Sequence, residues 1–166
     1  MENKNDLTDF TNYIESLCEK HTAINHSEKK KHFLELGNDQ QLQEGKKLYY
    51  PIVTMEKLTN SYTDQPDNIR KKRNIELMFL DHVSDAGNFN HINSIWNNME
   101  WIAEDFLRKI REDRRDKNTY PFLQKLKLNS AELDLVENVS THLWGVLLSF
   151  ELDLPFSECI EVGRFR

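Results

Sequence analysis

An apolar stripe with helical spacing occupies the middle of the chain, from Asn88 to Arg115. Its members recur every three or four residues, which places them on one face of an α-helix. They are Phe89, Ile92, Ile95, Trp96, Met99, Ala103, Phe106 and Ile110. A helix of about 26 residues would be roughly 39 Å long. Strand-like segments lie on both sides of it in sequence, so we expect a sheet that packs on this helix.

Two segments have the clearest strand patterns and supply the cover that the helix needs. Trp144–Leu154 alternates with a period of two, which predicts a strand with one buried face. Asn74–Val83 is apolar on both faces, which predicts a central strand. An amphipathic pattern predicts a further helix at Asp6–His21. Weaker strand patterns occur at Lys31–Leu36, Leu48–Glu56, Phe122–Leu128 and Leu133–Val136.

The order of these elements predicts an α+β fold, with a mostly antiparallel sheet packed on one long helix, an N-terminal helix and a long hairpin arm. We expect residues 1–155 to form a single domain, because the chain of 166 residues is long enough for one core. Residues 57–73 are polar and are expected to be an extended loop or arm. Residues 156–166 are expected to form a C-terminal tail that docks on its own domain or on a neighbour.

Charge and hydropathy narrow the classes of partner. The net charge is −6, which argues against nucleic-acid binding by the whole surface. No window approaches the ~18 apolar residues of a membrane span, and no apolar run follows the N-terminus. We therefore expect a protein made in a cytoplasm, with no membrane partner, in which Cys18 and Cys159 stay reduced. The mean hydropathy of −0.73 fits flexible polar segments or polar contacts with partners.

Motifs for catalysis are missing from the sequence. It contains no glycine-rich phosphate loop, no Gly-x-Ser-x-Gly, no Cys-x-x-Cys and no helical histidine pair. Asp81 and His82 are adjacent, and adjacent strand residues point to opposite faces, so they are poorly placed to share a metal ion. We therefore predict a protein that is not an enzyme and has no metal and no cofactor. The competing enzyme hypothesis requires a pocket near Asp81, His82 and His91 with perturbed titrating groups.

Candidate contact residues fall into three groups. A basic segment precedes a predicted strand and suits a subunit contact, plain solvation or a nucleic acid. Two apolar residues lie off the main stripe of the long helix, where a second layer or another chain would cover them. The third group is the apolar part of the tail. These residues are Arg70, Lys71, Lys72 and Arg73, then Trp101 and Leu107, then Phe156, Ile160 and Phe165. A second basic segment, Arg108–Lys117, is interleaved with acidic residues and is interpreted as stabilising the helix C-terminus.

The order of elements resembles the tail-terminator and neck-ring proteins of tailed bacteriophages. The local sequence is also similar to small structural proteins of phages and prophages of Bacteroidetes-type hosts. The similarity covers the chain from about Leu48 to Pro155 and includes no catalytic motif. The segments that carry it are Tyr50–Glu56, Tyr62-Thr63-Asp64, Asn68, Met78–Asp81, Ile102–Leu107 and Gly145–Leu152.

The resemblance implies a structural subunit of a head–tail connector or tail-terminus ring in a virion. Its partners would be itself, in a cyclic ring of six or twelve copies, and the neighbouring portal, neck or tail proteins. The genome DNA would pass the lumen without sequence-specific binding, since an acidic protein repels it. The main alternative is a soluble α+β module that binds a protein partner and is unrelated to virions. A nucleic-acid binder acting through Arg70–Arg73 is a further alternative.

Overall fold

Two helices, six strands and a short 3-10 helix make up the part of the chain that the computed structural model describes, namely residues 6–35, 48–56, 58–63, 69–137, 139 and 142–155. Both helices and the 3-10 helix pack with the sheet, so the fold is α+β, as predicted. The elements are α1 (Asp6–Lys20), β1 (Phe33–Leu34), β2 (Ile52–Met55), β3 (Thr59–Thr63), β4 (Arg70–His82), α2 (Phe89–Asp113), the 3-10 helix (Pro121–Lys125), β5 (Leu126–Val136) and β6 (Leu143–Pro155).

The sheet has the strand order β1-β2-β4-β6-β5, and β3 also pairs with β4. Only the short β1–β2 pair is parallel among the described strands, so the predicted antiparallel character is confirmed. The central ladder joins β4 and β6 over 13 residues, from Arg70 opposite Pro155 to His82 opposite Leu143. β2 and β3 lie end to end along the other side of β4.

The long helix packs on the sheet through the predicted stripe, with two changes. Phe89 is 74% exposed, because α2 meets the core only from Ile92 onward. Ile102 is buried although it was left out of the stripe; it lies three residues after Met99 and therefore on the same face. Asn88 caps the helix, since its side chain accepts a hydrogen bond from the backbone N–H of His91 at 3.1 Å.

Both described helices lie on the same face of the sheet and share its main core. The ring of Phe10 in α1 lies 6.0 Å from that of Phe150, and the ring of Phe106 in α2 lies 5.0 Å from that of Phe79. A second apolar cluster lies on the opposite face, around Leu80. The middle of β4 is therefore buried on both faces, which confirms the expectation for Asn74–Val83. The second cluster consists of Leu34, Ile52, Met78, Leu80 and Leu143.

Gly145 lets the two central strands approach each other closely. A Cβ atom at this position would lie 1.8 Å from the backbone carbonyl oxygen of Phe79. Because that atom belongs to the backbone of the neighbouring strand, no side-chain rotation relieves the clash. A glycine is therefore required at this point of the β4–β6 ladder.

Three sequence expectations are corrected by the strands. Most of the described part of residues 57–73, expected as an extended loop or arm, is not loop but belongs to β3 and β4, while residues 64–68 lie outside the described residues. β4 begins at Arg70, four residues before the predicted start. The separate strands expected at Phe122–Leu128 and Leu133–Val136 are instead the 3-10 helix followed by one continuous strand. That strand contains an irregularity between Lys127 and Glu132, which hides its continuity in the sequence.

Candidate subunit-contact surfaces

The arm consists of β3 and residues 70–74 of β4. Its side chains are exposed or half-buried, and none of them belongs to a core cluster. β3 itself is uncharged and polar, and Tyr62 is 55% exposed. The arm is thus an ordered two-stranded ribbon on the β6 ladder whose position is fixed by backbone pairing and polar contacts rather than by a core.

On the face of the sheet opposite the helices, the arm is tied to β6 by a ladder of ion pairs. The Arg70 Nε atom donates to Asp153 Oδ1 at 2.6 Å, and Lys72 Nζ lies 3.3 Å from Glu151 Oε2. Lys127 in β5 contacts both carboxylates, at 3.3 Å and 3.0 Å. Partial burial raises the pKa of Asp153, but the hydrogen bonds from Arg70 and Lys127 outweigh it and hold that pKa below its ordinary value.

The other half of the basic segment points toward the helix side of the sheet, because alternate strand residues face opposite ways. Arg73 Nε donates to Asn60 Oδ1 at 2.9 Å, and Lys71 lies opposite Tyr62 in the ladder. The four cations of Arg70–Arg73 therefore do not form a single patch. Two of them are paired with carboxylates on one face, and two lie on the other face.

β5 lies at the edge of the sheet, on the side away from β3. Within the described residues, Glu132–Val136 pairs with β6 on one side only. Glu132 and Asp134 are exposed, and Leu135 is 57% exposed. The Val136 carbonyl oxygen accepts a hydrogen bond from the Trp96 indole at 3.3 Å, which anchors the end of this edge to α2.

The two off-stripe residues of α2 have different surroundings. Trp101 is 54% exposed, and its ring lies 6.0 Å from that of His21. Leu107 is half-buried and packs against the main core. Only Trp101 is therefore available to a partner over most of its surface.

The charged end of α2 is stabilised within the helix. Arg108 forms ion pairs with Glu104 and with Asp105, and Lys109 forms them with Glu112 and Asp113. All four pairs have i,i+3 or i,i+4 spacing. The interpretation of Arg108–Lys117 as helix stabilisation is confirmed for these residues.

Two surface grooves border α1 in the described part of the chain. One of about 260 Å³ lies between α1 and α2 and includes His21 and Asp105, whose Nε2 and Oδ2 atoms are 3.5 Å apart. The other His21 ring nitrogen accepts from the backbone N–H of Ala23, so both nitrogens are engaged. A second groove of about 470 Å³ contains Tyr13, whose hydroxyl donates to Asp113 Oδ2 at 2.9 Å.

The residues of the enzyme hypothesis lie at the end of the central ladder away from the arm. Asp81 Oδ1 accepts from the backbone N–H of His82 at 2.7 Å. Burial raises the pKa of Asp81, opposed by that hydrogen bond and by His82 and His91. The His82 ring contacts Tyr50 and His142 at centroid distances of 5.8 Å and 6.0 Å. No group of three or more histidine, cysteine, aspartate or glutamate residues suited to a metal ion occurs within the described ranges.

The tail candidates Phe156, Ile160 and Phe165 lie outside the described residues, as does Cys159. Cys18 is buried in the core and is not in a disulfide; burial raises the pKa of its thiol. The domain boundary at residue 155 stays a prediction.

Sequence reasoning found the basic segment but missed its partners and the second open edge. The signal for the partners was present, because Glu151 and Asp153 alternate along β6 with the same spacing as Arg70 and Lys72 along β4. Glu132 and Asp134 carried no comparable signal, since acidic residues in a short strand occur on any solvated face.

No protein-family model matches the chain, and no curated protein sequence is significantly similar to it. Neither described helix combines the length and the apolar character that crossing a bilayer requires.

Proposed function

We propose that this chain is a structural subunit of a ring at the head–tail connector or tail terminus of a tailed phage. In that position it would join the capsid portal to the tail and let the genome pass. The observation that carries the proposal is the arm, an ordered polar ribbon that contributes no side chain to either core cluster. A stand-alone domain gains little from such a ribbon, because it exposes a strand edge that other chains can pair with. A subunit of an assembly uses it for contact.

Two further features support a cyclic assembly. A ring requires heterologous contacts, in which one patch of a subunit meets a different patch of the next. The two layers of the fold provide different surfaces, since the described helices pack on one face of the sheet only. Trp101, more than half exposed on the outer side of α2, supplies an apolar contact residue away from the arm.

The charge of the chain suits a passage for DNA. The net charge is −6, and two of the four cations in Arg70–Arg73 are paired with carboxylates of β6. A lumen built from such subunits would repel the phosphate backbone weakly and would not grip the genome. We therefore propose contact with the passing DNA without sequence-specific binding.

The test is the state of the purified full-length chain, measured by mass photometry and sedimentation velocity over a wide concentration range and imaged by negative-stain electron microscopy. We expect closed rings of one defined copy number. The same protein, labelled with gold-conjugated antibody, is expected at the neck or tail end of phage particles that carry its gene. A chain that stays monomeric at every concentration and is absent from purified particles would contradict the proposal.

A further inference from the structure

We infer that copies of this chain associate through the edges of their sheets, with β3 of one copy pairing with residues 132–136 of β5 in the next. The sheet would then continue from subunit to subunit. This inference rests on the proposed ring and names its subunit contact.

The two edges are open and equal in length. Within the described part of the chain, β3 pairs only with β4, and residues 132–136 pair only with β6. Each edge offers five residues, Thr59–Thr63 on one side and Glu132–Val136 on the other. The neighbouring β2 differs, because β1 covers its outer side. Free backbone N–H and C=O groups along an edge are satisfied when a strand from another chain is added.

The direction of the strands fits a continued antiparallel sheet. β3, β4, β6 and β5 alternate in direction across the subunit, because each neighbouring pair is antiparallel. β3 and β5 therefore point in opposite directions. A second copy placed in the same orientation beside β5 presents its β3 antiparallel to that strand. Strand direction therefore continues to alternate across the contact between the two copies.

The charges beside the two edges are complementary. Beside β3 lie the four cations of Arg70–Arg73 in β4, against the two carboxylates of Glu151 and Asp153 in β6. Beside β5 lie Glu132, Asp134 and Glu137, which form no ion pair with any other described residue. Two β3 edges would repel each other, and so would two β5 edges. The contact is thus heterologous, and repeated heterologous contacts form a ring when the rotation between copies closes.

Each edge carries an exposed aromatic or aliphatic side chain on the same face of the sheet. Tyr62 is opposite Lys71, and Leu135 is opposite Val146, so both point to the helix side of the sheet. They are 55% and 57% exposed. In the continued sheet, Tyr62 of one copy lies on the same face as Leu133 and Leu135 of the next. Aromatic and aliphatic residues on adjacent strands stabilise a sheet when they share a face.

Thiol cross-linking tests this contact in the full-length chain. The central residues of the two edges are replaced together, Ser61→Cys with Asp134→Cys, in a Cys159→Ser background. Cys18 stays, because it is buried and its thiol pKa is raised, which suppresses its reaction. A short bis-maleimide is added, and the products are separated on a denaturing gel. We expect a ladder of multimers that ends at the ring size.

Matched variants test whether the contact joins β3 of one copy to β5 of the next. Each single variant alone is expected to remain monomeric on the gel, since it carries only one half of the contact. An equimolar mixture of the two single variants is expected to stop at dimers. Ser61→Cys combined with Asn97→Cys, which places the second thiol on the exposed face of α2, is expected to give no ladder.

Charge exchange provides an independent measurement. Glu132→Lys with Asp134→Lys is expected to raise the dissociation concentration of the assembly about tenfold, because both carboxylates lie on the same face of the sheet as Arg70 and Lys72. Lys71→Glu with Arg73→Glu, on the helix side of the sheet, is the matched control and is expected to have a smaller effect. Circular dichroism and thermal unfolding confirm that each variant is folded.

The outcomes separate this inference from the proposed ring. If the wild-type chain forms rings but the double-cysteine variant gives no ladder, or if a single variant cross-links to itself, the edge contact is overturned and the ring stands. If the wild-type chain is monomeric under all conditions and no ladder forms, both are overturned.

Discussion

The two ends of β4 belong to one uninterrupted ladder with β6, yet their surroundings are opposite. Leu77–Leu80 is buried on both faces, whereas Arg70–Asn74 is half-buried and bound by ion pairs and amide groups. Burying a leucine side chain stabilises a fold by about 1.5–3 kcal/mol, while a surface ion pair contributes about 0–1 kcal/mol. The difference teaches that the apolar end of β4 carries most of the stability of the fold, whereas the charged end adds little to it.

The largest contrast is expected between two residues on the same face of β4. Leu80→Ala removes a side chain that is 0% exposed, and we expect it to lower the free energy of unfolding by about 3 kcal/mol. Lys72→Ala, eight residues away, is expected to change it by about 0.5 kcal/mol or less. Urea unfolding followed by circular dichroism measures both. Equal losses in the two variants would show that the ion-pair ladder is part of the folding core.

A smaller effect is expected from Asp153, which accepts from Arg70 and contacts Lys127. Asp153→Asn is expected to lower the free energy of unfolding by about 1 kcal/mol at neutral pH. The folded-state pKa of Asp153 is lowered, so its contribution is present above the unfolded value of about 3.9 and is lost as pH falls through the folded value. The free energy of unfolding, measured from neutral to acidic pH, should therefore fall less steeply in the variant than in the wild-type chain. An unchanged decline would mean that the ion pairs do not couple to folding.

The smallest effect, with the opposite sign, is expected at Asp81. Burial raises its folded-state pKa, so its contribution is present below about pH 3.9 and is lost as pH rises through the folded value. Asp81→Asn should therefore raise the stability at neutral pH by a few tenths of a kcal/mol, since the amide oxygen still accepts from the N–H of His82. The same pH series measures this. A loss of stability would show that attraction to His82 and His91 outweighs burial.

Much of the fold was predictable because apolar residues recur at regular intervals along its main elements. The stripe of α2 and the alternation of β6 gave their positions to within a few residues. β5 was not recognised as one strand because its irregularity inserts three extra residues, an odd number. Leu126 faces the helices before it and Leu133 after it, so the even–odd alternation reverses and the strand looks like two pieces.

The candidate contact site was predicted only in part. Local composition identified Arg70–Arg73, but which of these cations are neutralised depends on β6, more than 70 residues later in the chain. Strand β4 begins four residues earlier than the sequence predicts for the same reason, since carboxylates of β6 neutralise Arg70 and Lys72 at its start. Trp101 was identified correctly as off the core stripe, whereas the exposure of Leu135 follows from its place on a sheet edge and is not visible in sequence.

The position of β6 also sets the order in which the protein can be completed. β6 lies between β4 and β5 in the sheet but follows both in the chain, and Phe10 of α1 packs on Phe150 within it. The central ladder therefore closes only after nearly all of the described chain has left the ribosome, and a product that stops before β6 leaves both neighbouring strands without their partner. Interrupted translation would yield chains that cannot finish folding.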